Sequence, residues 1–126
     1  MRGNFDTSIL NEEKRIIQEY VPGCQLTLAH IIASPDPILY KKLGLDPRID
    51  YEKAAIGVTT VTPSETAIIM ADVALKASGI TLGFVDRFSG SLIFTGTVSE
   101  VQASMEAVMD YLKNKMTYTV CTVTKT

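Results

Sequence analysis

The spacing of apolar and polar residues changes several times along this chain, and each change marks an element. Residues 1–13 are polar and unpatterned and read as a leader. Ile16-Ile17-Gln18-Glu19-Tyr20-Val21 is extended in character and stops at the turn dipeptide Pro22-Gly23. From Gln25 onward, Leu26, Leu28 and His30 alternate with Gln25, Thr27 and Ala29 before Ile31-Ile32, which predicts a strand with one buried face. Ser34-Pro35-Asp36-Pro37 then opens a short helix, with Asp36 as N-cap and Pro37 at the first helical position. It passes through Leu39, Tyr40 and Leu43 and ends at Gly44.

After a charged loop over 46–53, the run from Ala54 to Val61 is strand-like, and Thr62-Pro63-Ser64-Glu65 has the form of a capping box. The helix it opens is expected to reach Ser78 and stop at Gly79. Ala67, Ile68, Ile69, Met70, Val73, Ala74 and Leu75 occupy most of its circumference, so a sheet and a further neighbour should both cover it. Two short strands, 80–85 and 92–95, flank the turn Gly83-Phe84-Val85-Asp86-Arg87-Phe88-Ser89-Gly90. Ser99-Glu100-Val101-Gln102 reads as a second capping box, opening a helix to about Lys115 with one apolar stripe through Val101, Met105, Val108, Met109, Leu112 and Met116. Alternation from Tyr118 to Thr124 predicts a last strand.

Strands and helices in this order give an α+β, ferredoxin-like sandwich: a mainly antiparallel sheet with two helices on one face. The length of 126 residues suits one domain, placed at 23–126 after a leader at 1–22.

Composition narrows the function. A net charge of −2 and 46% hydrophobic residues exclude a disordered chain and a polybasic nucleic-acid binder. The longest apolar run, broken by Asp72 and Lys76, is too short to span a bilayer, and the opening residues lack a signal-peptide h-region, so no membrane partner is expected. Cys24 and Cys121 read as small hydrophobes in a reducing compartment ahead of a disulfide. A positive mean hydropathy hints at apolar surface hidden by self-association.

Catalytic groups are sparse. His30 is the single histidine, with no cysteine or carboxylate at metal-ligand spacing, and reads as structural. Ser64 and Ser89 have no general base of the kind a triad needs. The glycines from Gly90 to Gly96 do not form a dinucleotide fingerprint. No metal and no cofactor is implied. Asp72 is either a group in a pocket or a residue on a solvated or interfacial line of its helix. Lys76 either complements the helix dipole or reaches a neighbouring molecule. Asp86-Arg87 could bind an anion or simply neutralise itself. Three classes stay open: an oligomeric structural subunit, a ligand-sensing ferredoxin-like module, and a small enzyme built on Asp86-Arg87.

The ordered chain from about Ile16 resembles a known family. The words that carry it are the Ile17-to-Gly23 segment, Gln25-Leu26-Thr27-Leu28-Ala29-His30, Lys41-Lys42-Leu43-Gly44, Ala55-Ile56-Gly57, Thr62-Pro63-Ser64-Glu65 and the Gly83-to-Gly90 turn. In that order they are similar to the circularly permuted BMC-domain subunits of bacterial microcompartment shells, of the propanediol- and ethanolamine-utilisation types. The resemblance implies a non-enzymatic homohexamer that tiles with other shell proteins around metabolic enzymes, inside a bacterial microcompartment. Encapsulated enzymes or their targeting peptides are further implied partners.

It also implies roles by position. Asp86, Arg87, Phe88, Ser89 and Gly90 match the pore loop near the sixfold axis. Lys76 matches the lysine at the edge between hexamers. Ile16, Ile17, Gln18, Glu19, Tyr20 and Val21 match a segment that forms a parallel barrel over the pore. The family's arginine after the His30 strand is absent, with Ala33-Ser34-Pro35 in its place.

Overall fold

A computed structural model describes residues 23–52 and 54–126. The leader and the barrel residues 16–21 therefore lie outside the described residues. The elements are β1 (Gln25–Ile32), α1 (Ile38–Lys42), β2 (Ala55–Thr62), α2 (Thr66–Ala77), β3 (Thr81–Asp86), β4 (Ser91–Gly96), α3 (Val98–Asp110), β5 (Thr119–Val120) and β6 (Thr124–Lys125). Helix α3 widens into a π-helical turn over Tyr111–Lys115. The strands form one sheet in the order β3-β4-β2-β1-β5, with β6 also beside β1. The three central pairings are antiparallel, and β5 and β6 run parallel to β1.

Helices α2 and α3 pack on one face of this sheet. Their buried residues, among them Met70, Val101, Met105 and Leu112, meet Leu26, Val61 and Phe94 from the strands in one core cluster. Burying such side chains is the main stabilising term, about 1.5–3 kcal/mol for each large one. Ser104 is buried where the helices touch, and its hydroxyl donates to the Ala74 carbonyl at 2.7 Å.

The other face is covered too. Leu45, Ile56 and Ile93 are buried outside that cluster, and Leu45 and Ile93 both crowd the position where a side chain at Gly83 would stand. The loop after α1 thus closes over the second face. Tyr40 and Tyr51 stack at 4.7 Å there, and the Tyr40 hydroxyl donates to the Ala54 carbonyl at 2.7 Å.

Four expectations need correction. The alternation of β1 breaks at a bulge between Leu26 and Leu28, where β1 carries one extra residue against β2. Phase therefore flips: Leu26, Ala29 and Ile31 are buried, while Leu28 is exposed. The single last strand is two short pieces in constant register with β1, Gln25 against Thr119 and His30 against Thr124. The residues between them leave the ladder opposite the bulge.

Both capping boxes are also displaced. Thr62 stays in β2, paired with Gln25, because the residue before a proline favours extended backbone. Helix α2 instead starts at Thr66, with no side-chain cap, its first amides bonded to the carbonyls of Pro63, Ser64 and Glu65. At α3 the box is Thr97 with Glu100, two residues earlier than expected: Glu100 N–H donates to Thr97 Oγ1 at 3.1 Å and Thr97 N–H to Glu100 Oε1 at 2.9 Å. The α1 start agrees with expectation, since Pro37 has helical angles and the Ile38 amide donates to the Asp36 carboxylate.

Candidate functional site: the β3–β4 turn and the outer face of α2

The turn between β3 and β4 is held by its own first residue. Asp86 Oδ1 accepts the Phe88 amide at 2.9 Å and the Ser89 amide at 3.3 Å, and the Asp86 carbonyl accepts the Gly90 amide at 2.8 Å. The Phe88 amide first, then Ser89, holds the Asp86 carboxyl below its ordinary range. Ser89 Oγ donates to Ser91 Oγ at 3.1 Å. Gly90 has φ +80°, and its carbonyl oxygen accepts the Val61 amide at 3.0 Å, which ties the turn to the end of β2.

This fixed frame presents Arg87 and Phe88 outward. Phe88 is 81% exposed, and the Arg87 guanidinium carbon lies 4.9 Å from its ring centroid. Beside the turn, Ile68 from the first turn of α2 and Val85 line a shallow concavity with Asp86, Arg87 and Phe88. The sequence pattern singled out the turn but not Ile68, since a helix that is apolar all round does not say which side a second molecule covers.

Along α2, Thr66, Ala67, Met70, Ala71 and Ala74 face the core, whereas Ile68, Ile69 and Leu75 remain exposed. The expected sheet covers one side; the other side is bare in a single chain. Lys76 sits in the last turn, eight positions after Ile68, hence about 12 Å along the helix axis. Its Nζ is 2.8 Å from Asp72 Oδ2, and both side chains are largely exposed. Asp72 thus lies on the solvated line of the helix and not in a pocket. The spacing of four residues between them was visible in the sequence and is the signal that pairs them.

The remaining candidates have structural surroundings. His30 bridges β1 to β6, its ring nitrogens meeting the hydroxyls of Thr124 and, at 2.9 Å, Thr126. Cys24 and Cys121 are free thiols. Among the described residues no three His, Cys, Asp or Glu side chains gather as a metal site, and no helix is long and apolar enough to cross a membrane. The sequence did not flag the groove on the second face, lined by Pro37, Tyr40, Leu45, Pro47, Ile49 and Tyr51. Burial pushes both tyrosine hydroxyls up.

Comparison with known proteins identifies the class. The profile of the BMC domain matches residues 55–125. That match begins at β2, although β1 is a central strand of the same sheet, as a circular permutation requires. The chain is 47% identical over 112 residues to bacterial microcompartment shell protein PduU of Salmonella typhimurium, covering 89% of this chain and 93% of that protein. It is 47% identical over 116 residues to shell protein CutR of Streptococcus intermedius, covering 92% and 96%. To shell protein EutS of Escherichia coli K12 it is 46% identical over 114 residues, covering 90% and 98%.

Among solved structures, a CutR flat hexamer superposes with TM-score 0.76 at 45% identity, covering 84% of this chain and 94% of the other. A CutR screw with 41.9 Å pitch gives 0.75 at 45% identity, covering 83% and 100%. The chain belongs to the BMC-domain family of bacterial microcompartment shell proteins, and it is a structural subunit of such a shell.

Proposed function

We propose that this chain is a non-catalytic wall subunit that closes into a homohexamer, with the Asp86–Gly90 turn ringing the sixfold axis. Arg87, Phe88 and Ser89 line that axis in this reading. Helix α2 runs outward from it, its apolar outer side buried against the next subunit, and Lys76 at its far end lies on the edge where hexamers meet. Residues 16–21 lie over the axis as a parallel barrel, formed by one segment from each subunit. Other shell proteins are lateral partners, and encapsulated enzymes or their targeting peptides are partners from the interior.

One observation carries the reading. The exposed apolar residues Ile68, Ile69, Leu75, Val85 and Phe88 lie along one helix and the turn at its start, where a lone soluble chain gains nothing from them. The fixed turn stands at one end of this line and Lys76 at the other, which is the order axis, seam, edge. Solved hexamers of the similar CutR chain support the stoichiometry.

Native mass spectrometry tests it: the expected species is a hexamer, and a dominant species of any other stoichiometry overturns the proposal. Incubation with aldehydes or alcohols is expected to give no turnover, since the turn offers a carboxylate already bonded to its own amides and, among the described residues, no base beside it.

A further inference from the structure

Asp72 and Lys76 form an ion pair one turn apart on α2, with Nζ 2.8 Å from Oδ2. At such exposure the pair adds little to the stability of the chain itself. It matters at a contact between assemblies. Sixfold units that share one orientation in a sheet meet across twofold axes, and a twofold contact sets each residue near the axis against its own copy. A lysine at that edge faces a lysine. Two ammonium groups a few ångströms apart repel, and more strongly as the seam excludes water.

Lys76 does not escape by losing its proton, because the bond to Asp72 favours the charged amine. Asp72 is therefore the carboxylate held against Lys76, on the same helix and the same solvated line.

We propose that Asp72 is the counter-charge of the lateral seam: it cancels Lys76 on each side, so that two copies of one edge can meet. The proposal rests on the placement of Lys76 at the hexamer edge given above. The partner it implies is a second copy of the assembled hexamer.

Sheet formation by purified full-length protein tests it, followed by light scattering and electron microscopy. The variants are Asp72→Asn, Lys76→Gln, the double variant and Lys76→Asp. Asp72→Asn is expected to remain hexameric and to need at least about fivefold more protein to form sheets at low salt, the gap closing near 0.5 M where the Debye length is roughly 4 Å. The double variant is expected to assemble at the parental threshold at both salts.

Asp72→Asn assembling like the parent at low salt overturns the counter-charge. So does a defect that persists at high salt or in the double variant. If Asp72→Asn does not accumulate as hexamers, Lys76→Gln decides: it leaves Asp72 uncompensated and is expected to show a salt-curable defect, whose absence overturns the proposal. Lys76→Asp assembling at the parental threshold, or a parent that forms no sheets or tubes at any salt, overturns the seam placement itself.

Discussion

The carbonyl oxygen of Val61 lies well inside contact distance of the point where a side chain at Gly90 would begin. The same residue pair shares a hydrogen bond, Val61 N–H to Gly90 C=O at 3.0 Å. Strand β2 and the β3–β4 turn are thereby locked at a separation only glycine permits. Gly90→Ala is expected to destabilise the protein by about 1–3 kcal/mol, since it combines a positive φ with a backbone clash. A lowered urea midpoint at unchanged slope is the expected reading, and an unchanged midpoint contradicts the locked turn.

Asp86 gives that turn a pH dependence of definite sign. Its folded carboxyl titrates below the unfolded value because the ionised form accepts the Phe88 amide, with Ser89 assisting. The contribution is therefore fully present above the unfolded carboxylate pKa, about 3.9, and is lost as pH falls through the lower folded value. Amide exchange at Phe88 and Ser89 is expected to stay protected at mildly acidic pH and to accelerate only below the ordinary carboxylate range. In Asp86→Ala both amides are expected to exchange fast at every pH. Protection that disappears already near neutrality points to another source of order.

Inside the fold, Ser104 is a polar group with no water to fall back on. It donates to the Ala74 carbonyl and meets Ser78 Oγ at 2.8 Å, while Ser78 Oγ also reaches the Glu100 carbonyl at 2.8 Å. Ser104→Ala leaves a buried carbonyl between α2 and α3 without that donor, and is expected to cost about 1–3 kcal/mol. Thermal or chemical denaturation of the hexamer reads this; a neutral result means the two helices close the gap by packing alone.

How much of this was legible in the sequence follows from the range of the forces involved. Local signals were readable where one segment decides its own state. Gly44 has φ +74° where a helix-ending glycine was expected, and of the expected stripe Val101, Met105, Val108 and Leu112 are buried while Met109 and Met116 are partly buried against the core. Signals that depend on the neighbour strand were not. The bulge in β1 is a property of its register with β2, and it moves Leu28 out of the core although Leu28 itself reads as a core residue. The broken last strand has the same origin.

The displaced caps show local candidates in competition. Two residues that could cap α3, Thr97 and Ser99, lie within three positions, and Glu100 bonds to the first. At the candidate site, the turn stood out by its glycines and its aromatic residue, whereas the exposed side of α2 was not legible. Composition showed an all-round apolar helix, but which residues a second chain would cover, Ile68 and Leu75, depends on how the helix sits on its own sheet.

Among the described residues, the core cluster draws on positions from Leu26 onward, and β1 has partners on both sides from later in the chain. Deleting residues 1–20 is therefore expected to leave folding and hexamer formation intact while opening access to the axis. Circular dichroism and native mass spectrometry check the first expectation, and entry of a small permeant dye into assembled shells the second. A truncated chain that fails to fold would place the leader in the core and sink its assignment as a barrel over the axis.

The exposed side of α2 offers the sharpest separation between packing within the chain and packing between chains. Ile68 is 50% exposed and touches the concavity beside Phe88, so a polar residue there costs the isolated fold little, within about 0.5 kcal/mol for an exposed helical site. In a seam it would bury an unpaired charge in each of the subunit contacts around the ring, at several kcal/mol apiece. Ile68→Asp is accordingly expected to yield a folded monomer or small oligomer, with unchanged far-ultraviolet circular dichroism and no hexamer by native mass spectrometry. A hexamer of parental stability in this variant would leave the outer side of α2 facing solvent in the assembly, and the subunit seam would have to lie elsewhere on the sheet.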